Sequence, residues 1–201
     1  MAGSMPNKNK ELVLGLYSDL LLARQAQKSL DVWDKAEESI KLGSMAVIYK
    51  GSDGKLHWER SGVKDWKKSA LVGGIAGLIL APGVLVLAGL GAAFGAIDTK
   101  RIGVPKEDIE QIGAQLDQGK AALAVLCDDY EILPLTAEMT RLGGKVTHYE
   151  VPNEVVSQSE KVVMKEADAG RLTPDMIATT SATTPPPTAP GASPTTPPPT
   201  S

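Results

Sequence analysis

The sequence predicts an α+β fold: a ferredoxin-like βαββαβ core with an extra αβ unit and an inserted apolar helical hairpin. Three observations predict it. With residues 67–101 set aside, apolar runs of strand length and amphipathic stretches follow in the order strand, helix, strand, strand, helix, strand, the order of a split βαβ pair with helices on one face. An Asp-Gly pair stands between two strand-like runs in MAVIYKGSDGKLHWER, a hairpin signal. The third observation is the stretch set aside, SALVGGIAGLILAPGVLVLAGLGAAFGAID (69–98), which has no charged side chain between Ser69 and Asp98.

The elements follow in chain order. ELVLGLY (11–17) is a short apolar strand. Ser18 is placed to cap a helix, with Asp19 in its first turn. Leu22, Ala26, Leu30, Trp33, Glu37 and Ile40 recur at three- and four-residue steps, an amphipathic stripe with one charged position, and Gly43 is the expected stop. The hairpin strands are 45–50 and 55–60. Beyond the apolar stretch, Pro105 suits the first turn of a helix through Ile109, Ile112 and Leu116 that Gly119 ends. AALAVLC (121–127) is a fully apolar strand. A helix at about 130–142, with Pro134 in its first turn, stops at Gly143-Gly144. It leads to strand KVTHYEV (145–151), in which Thr147, Tyr149 and Val151 share one face and Val146, His148 and Glu150 the other. A charged helix over 153–168 offers Val155, Ser159, Val162 and Val163 as a narrow inner stripe.

The apolar stretch is long enough for one crossing of a bilayer, since a spanning helix needs about 20 residues. Pro82 and Gly83 argue for a turn instead. They divide the run into 70–81 and 84–97, whose helical lengths of about 18–21 Å fall short of a ~30 Å hydrocarbon core. The flanks are basic on both sides: Lys64, Lys67 and Lys68 precede the run, and Lys100, Arg101 and Lys106 follow it. A re-entrant hairpin keeps both clusters on one side of the membrane. Trp66, Lys67, Lys68, Lys100 and Arg101 are the expected interface anchors, with a packed Trp66 at a domain edge as the alternative. Gly73, Gly77 and Ala81 form one four-residue row; Gly91 and Gly95 lie on another. Small residues at this spacing let helices approach closely.

These features together resemble a bacterial family catalogued as domain of unknown function 1269, whose members are labelled predicted membrane proteins. The opening strand and helix, GSDGKLHWER, the glycine-alanine run split by Pro82-Gly83, the segment GVPKEDIEQIGAQLDQGKAALAVLCDD and the Gly-Gly before the last strand carry the resemblance, over roughly residues 11–165. It implies membrane association. It implies no activity and no catalytic residues.

Composition excludes several classes. A net charge of −3 and 4% aromatic residues argue against a nucleic-acid partner. One cysteine, Cys127, allows no internal disulfide. Gly89, Gly91 and Gly95 have the wrong spacing and setting for a dinucleotide loop. Ser61-Gly-Val-Lys64 spells SxxK without its SDN and KTG companions. His57 and His148 lack neighbours at metal-ligand spacing, although they could meet in space. Cys127 reads as a small buried hydrophobe, with a Cys–His pair to His148 as the reactive alternative. Asp128, Asp129 and Glu131 read as a loop and helix start, or as a weak cation site. No catalytic residue, cofactor or metal is expected.

The domain expectations are a flexible N-terminus (1–10), the α+β domain (11–66 and 102–151), the inserted hairpin (67–101), a C-terminal helix and linker (152–178), and a disordered Thr/Pro-rich tail (179–201). The tail repeats TTPPPT and has neither charge nor large hydrophobes, so it is expected to remain polyproline-like. It is a spacer or a ligand for a proline-binding partner. The functional expectation is a non-enzymatic membrane-associated protein that self-assembles through the glycine-rich hairpin. Its place would be the bacterial inner membrane, with the soluble domain cytoplasmic. The alternatives are a cytoplasmic homo-oligomer that buries its hairpins and a small-ligand-binding regulatory module.

Overall fold

The computed structural model describes residues 10–37, 40, 42–54, 56–60, 71–72, 75–76 and 104–169. They form an α+β structure: β1 (Lys10–Tyr17), α1 (Leu20–Ala36), β2 (Ser44–Lys50), β3 (Leu56–Arg60), α2 (Lys106–Asp117), β4 (Ala121–Cys127), α3 (Ile132–Arg141), β5 (Lys145–Val151) and α4 (Asn153–Asp168), with a short 3₁₀ turn, Asp129–Glu131, before α3. The five strands make one antiparallel sheet in the order β3-β2-β4-β1-β5. β4 therefore lies between β2 and β1, and β1 between β4 and β5. The unit β1–α1–β2 brackets β4, and the unit β4–α3–β5 brackets β1.

Alternation along the strands divides the interior into two layers. Val13, Tyr17, Met45, Val47, Leu123, Val125 and Cys127 face α1 (Ala23, Ala26, Leu30) and α3 (Leu135, Met139). Leu12, Leu14, Ala46, Ile48, Ala122, Ala124 and Leu126 face the opposite way, toward α2 (Ile112, Leu116) and α4 (Val155, Val156, Val163). The expectation that α1 and the helix through Ile109, Ile112 and Leu116 share a face is thus corrected. The sheet order explains it: β3 joins the edge beside β2, and the helix partnered with α1 is α3.

Local chemistry accounts for the element ends. The α1 cap is Asp19 rather than Ser18; its carboxylate accepts from the Leu22 amide at 2.8 Å, and the Ser18 hydroxyl donates to it. These bonds hold the Asp19 carboxyl below its ordinary range. α1 ends at Ala36, where Glu37 turns extended, so Glu37 and Ile40 leave the expected stripe. The buried face is Ala23, Ala26, Gln27 and Leu30, and Leu22 is exposed. Gly43 does not stop the helix. It lies against β4, donating to the Leu126 carbonyl at 3.0 Å, and a Cβ there would sit 2.6 Å from that oxygen. Gly119 and Gly143, by contrast, end their helices at φ +84° and +90°. In α4, Val155, Ser159 and Val163 are buried as their spacing indicates.

Leu71, Val72, Ile75 and Ala76, at the start of the apolar stretch, are helical and buried in the second layer. Ile75→Ala is expected to lower stability by roughly 2–5 kcal/mol, seen as a lower urea midpoint at unchanged slope. Leu133→Ala, at a position 82% exposed, should change it by no more than about 0.5 kcal/mol. Equal effects would place Ile75 outside the core.

Candidate functional site

The candidate site is where the apolar stretch meets the domain. Leu71, Val72, Ile75 and Ala76 are spaced i, i+1, i+4 and i+5, the pattern of one helix face. None is more than 6% exposed. Their cluster includes Leu12 and Leu14 of β1, Trp58 of β3, Ile112 and Leu116 of α2, and Val155 and Val163 of α4. The sheet contributes three alanines to this layer. Ala46 and Ala124 stand opposite each other on β2 and β4, with Ala122 beside them. Three alanines leave depth for another element, and covering the layer removes its apolar area from water at ~25 cal/mol per Å².

The stretch returns to the same place. Val104, just before α2, packs against the same cluster. Pro105 occupies the cap position of α2 rather than its first turn, with Glu107 and Asp108 in that turn. Tyr149 of β5 donates to the Asp108 carboxylate at 3.1 Å and ties the start of α2 to the sheet. Beside Leu71 runs an open groove of about 880 Å³, lined among the described residues by Val163, Met164, Glu160, Lys161 and Ser157 of α4. Gly73, Gly77, Ala81, Pro82, Gly83, Gly91 and Gly95 lie outside the described residues, as do the anchors Trp66, Lys67, Lys68, Lys100 and Arg101. Among the described residues, no helix is long and apolar enough to cross a membrane.

The chemical candidates disperse. His57 is on β3 and His148 on β5, the two edges of the sheet, so they do not meet. His57 stacks on Tyr49 at 5.5 Å between ring centroids, with Nε2 2.9 Å from Asp53. His148 Nδ1 lies 3.6 Å from Glu11. Cys127 pairs with Glu11 on one side of β1, and His148 with Val13 on the other, so they form no nucleophilic pair. Burial and the charges of Glu131, Glu11 and Asp128 push the Cys127 thiol up to about 12, opposite to the shift an activated thiolate needs. The acidic corner is a capping box: the Glu131 carboxylate accepts from the Asp128 amide at 2.9 Å, and the Asp128 side chain accepts from the Glu131 amide. Lys10 donates to Asp128 at 2.6 Å. Among the described residues, no three His, Cys, Asp or Glu side chains are placed to hold a metal ion.

Residues 68–164 match the model of a family described as protein of unknown function (DUF1269). Over these residues, just under half of its length, the chain is similar to that family. No curated protein and no solved structure matches it. The DUF1269 segment opens in the basic flank and runs through the apolar stretch, α2, β4, α3 and β5 into α4. It starts later than the expected 11–165 and omits β1, which lies between two of its strands, β4 and β5. The first four elements of this chain therefore complete the sheet around the family segment.

Cys127 and Tyr17 are both pushed up to about 12, chiefly by burial. Each stays protonated in the folded protein while the unfolded chain ionises near ~8.5 and ~10. Stability should therefore fall as pH rises above about 8.5 and keep falling toward about 12. Urea midpoints compared at about pH 8 and pH 10 should drop in the unaltered chain and drop less in Cys127→Ala. Alkylation of native Cys127 at about pH 8 within minutes would contradict the burial.

Proposed function

We propose that this is a non-enzymatic, membrane-associated protein that self-assembles through its glycine-rich segment. Its role is structural, in scaffolding or membrane stress, with the folded domain on the cytoplasmic side of an inner membrane. One observation carries the reading. Leu71, Val72, Ile75 and Ala76 are buried in the domain core. On a helical wheel drawn from the sequence, Gly73, Gly77 and Ala81 fall about 130–170° from the centre of that set. The small-residue row is then left for a second helix, either the other arm or another copy. The protonated Cys127 thiol and the separation of His57 from His148 support the non-enzymatic part.

The fold reading that accompanies this is ferredoxin-like. Strands β2-β4-β1-β5 with α1 and α3 make the two interleaved βαβ units, while β3, the apolar segment and α2 form one insertion between β2 and β4. This assigns the second unit to α3 and β5, which the order of elements alone placed outside the core.

A second reading, a water-soluble oligomer that buries its hairpins, is favoured by the protein cover over 71–76. Vesicle flotation and sedimentation separate the two. The full chain should float with vesicles, and a variant with 77–97 replaced by a short Gly-Ser linker should stay below while melting like the parent. Gly77→Leu and Gly91→Leu should lower the oligomer mass without moving the melting temperature. A large particle that ignores vesicles would favour the soluble assembly. A soluble monomer would contradict both readings.

A further inference from the structure

We infer that β5 is an edge through which two copies of this chain join. β5 pairs with β5 of a second copy, antiparallel about a two-fold axis at His148, so that the two five-stranded sheets become one of ten strands. This surface lies wholly in the folded domain and is separate from the glycine-rich segment. β5 is an outer strand of the sheet, and its seven residues pair with β1 in unbroken register, without a bulge. Lys145, Thr147, His148 and Glu150 are exposed along it. Natural edges are commonly blunted by shortness, proline or a bulge. β5 has none of these, and Pro152 falls just past its end. The opposite edge, β3, has five residues.

The side-chain pattern fits a second copy. Residues directly opposite in an antiparallel pair point to the same face, so a two-fold axis normal to the sheet passes at a residue. Only the axis at His148 engages all seven. Lys145 then stands opposite Val151 of the second copy, Val146 opposite Glu150, and Thr147 opposite Tyr149. Neither Lys145 nor Glu150 faces its own sign. Within the chain Glu150 stands directly opposite Glu11 of β1, a like-charge pair. His148 lies beside it, with Nδ1 3.6 Å from Glu11. The second copy brings its own His148 to the diagonal position from Glu150, about 7–8 Å across the new pair.

The helix layer fits as well. Ile132, Thr136 and Thr140 form an uncharged row on α3, about 40–120° to one side of buried Leu135 and Met139. Glu138 lies on the other flank, paired with Arg141, and its charge raises the Tyr17 pKa. Tyr17 pairs with Ala121 of β4, so the Glu138 flank faces inward and the uncharged row faces the open edge. α3 packs over β5 and β1. With strands ~4.8 Å apart, the axis sets the two α3 helices side by side at about 10 Å, an ordinary packing distance.

Disulfide capture on the full chain tests this, with Cys127 buried. His148→Cys places two thiols opposite each other at the axis, Cα atoms ~4.5–5.5 Å apart, within disulfide reach. Glu150→Cys places them four residues out of step, about 13 Å apart and out of reach. Under mild oxidation by glutathione disulfide, His148→Cys should cross-link almost completely to a dimer, and Glu150→Cys at least tenfold more slowly. Adding Val146→Cys to Glu150→Cys should restore the fast rate, and this pair serves if His148→Cys fails to fold. Equal rates at 148 and 150, as assembly through the glycine-rich segment alone would give, overturn the inference. So does a chain that stays uncross-linked in all three variants. Vesicle flotation decides the membrane reading independently of either result.

Discussion

β4 carries seven consecutive apolar side chains, Ala121–Cys127, and every one is buried. A strand like that cannot sit in a sheet with one wet face, because alternate side chains point both ways. Its central position, hydrogen-bonded to β1 and β2, passes the same demand to its neighbours. One face is closed by α1 and α3, the helices of the two interleaved units. The other is closed by α2, α4 and by Leu71, Val72, Ile75 and Ala76. The start of the apolar stretch is therefore part of what lets β4 be apolar.

That dependence changes what the stretch can do. A segment attached by a flexible tether would choose freely between lipid, another copy and the domain. Here its first residues are committed, and Val104 commits the chain again on return. The charge-bearing parts of the domain do structural work nearby: the Glu131–Asp128 box starts α3, Lys10 joins β1 to that corner, and Arg24 pairs with Glu59 to hold α1 against β3.

Much of this was legible locally. Gly119 and Gly143 mark helix ends because a left-handed backbone needs glycine. The stripe of α4 and the two faces of β5 follow from periodicity alone. The rest depended on pairing that no local pattern encodes. Gly43 reads as a helix stop, but its missing side chain serves close approach to β4. The helix through Ile112 has a good apolar stripe, yet nothing in the stripe says which face of the sheet it meets; that follows only from β3 taking the edge beside β2. The candidate site divides in the same way. The glycine rows were visible as spacing. The seat was not, because Leu71, Val72, Ile75 and Ala76 look like any part of an uncharged run. Their signal was the i, i+1, i+4, i+5 spacing of apolar side chains within that run.

Hydrogen exchange at the backbone amides of 71–76, followed in the full-length chain without lipid, addresses the core placement most directly. If these residues close the second layer of the sheet, their amides that donate within the helix exchange only with the opening of β4 and slow to a similar degree. Exchange at the rate of unstructured chain, with β4 still protected, would contradict it.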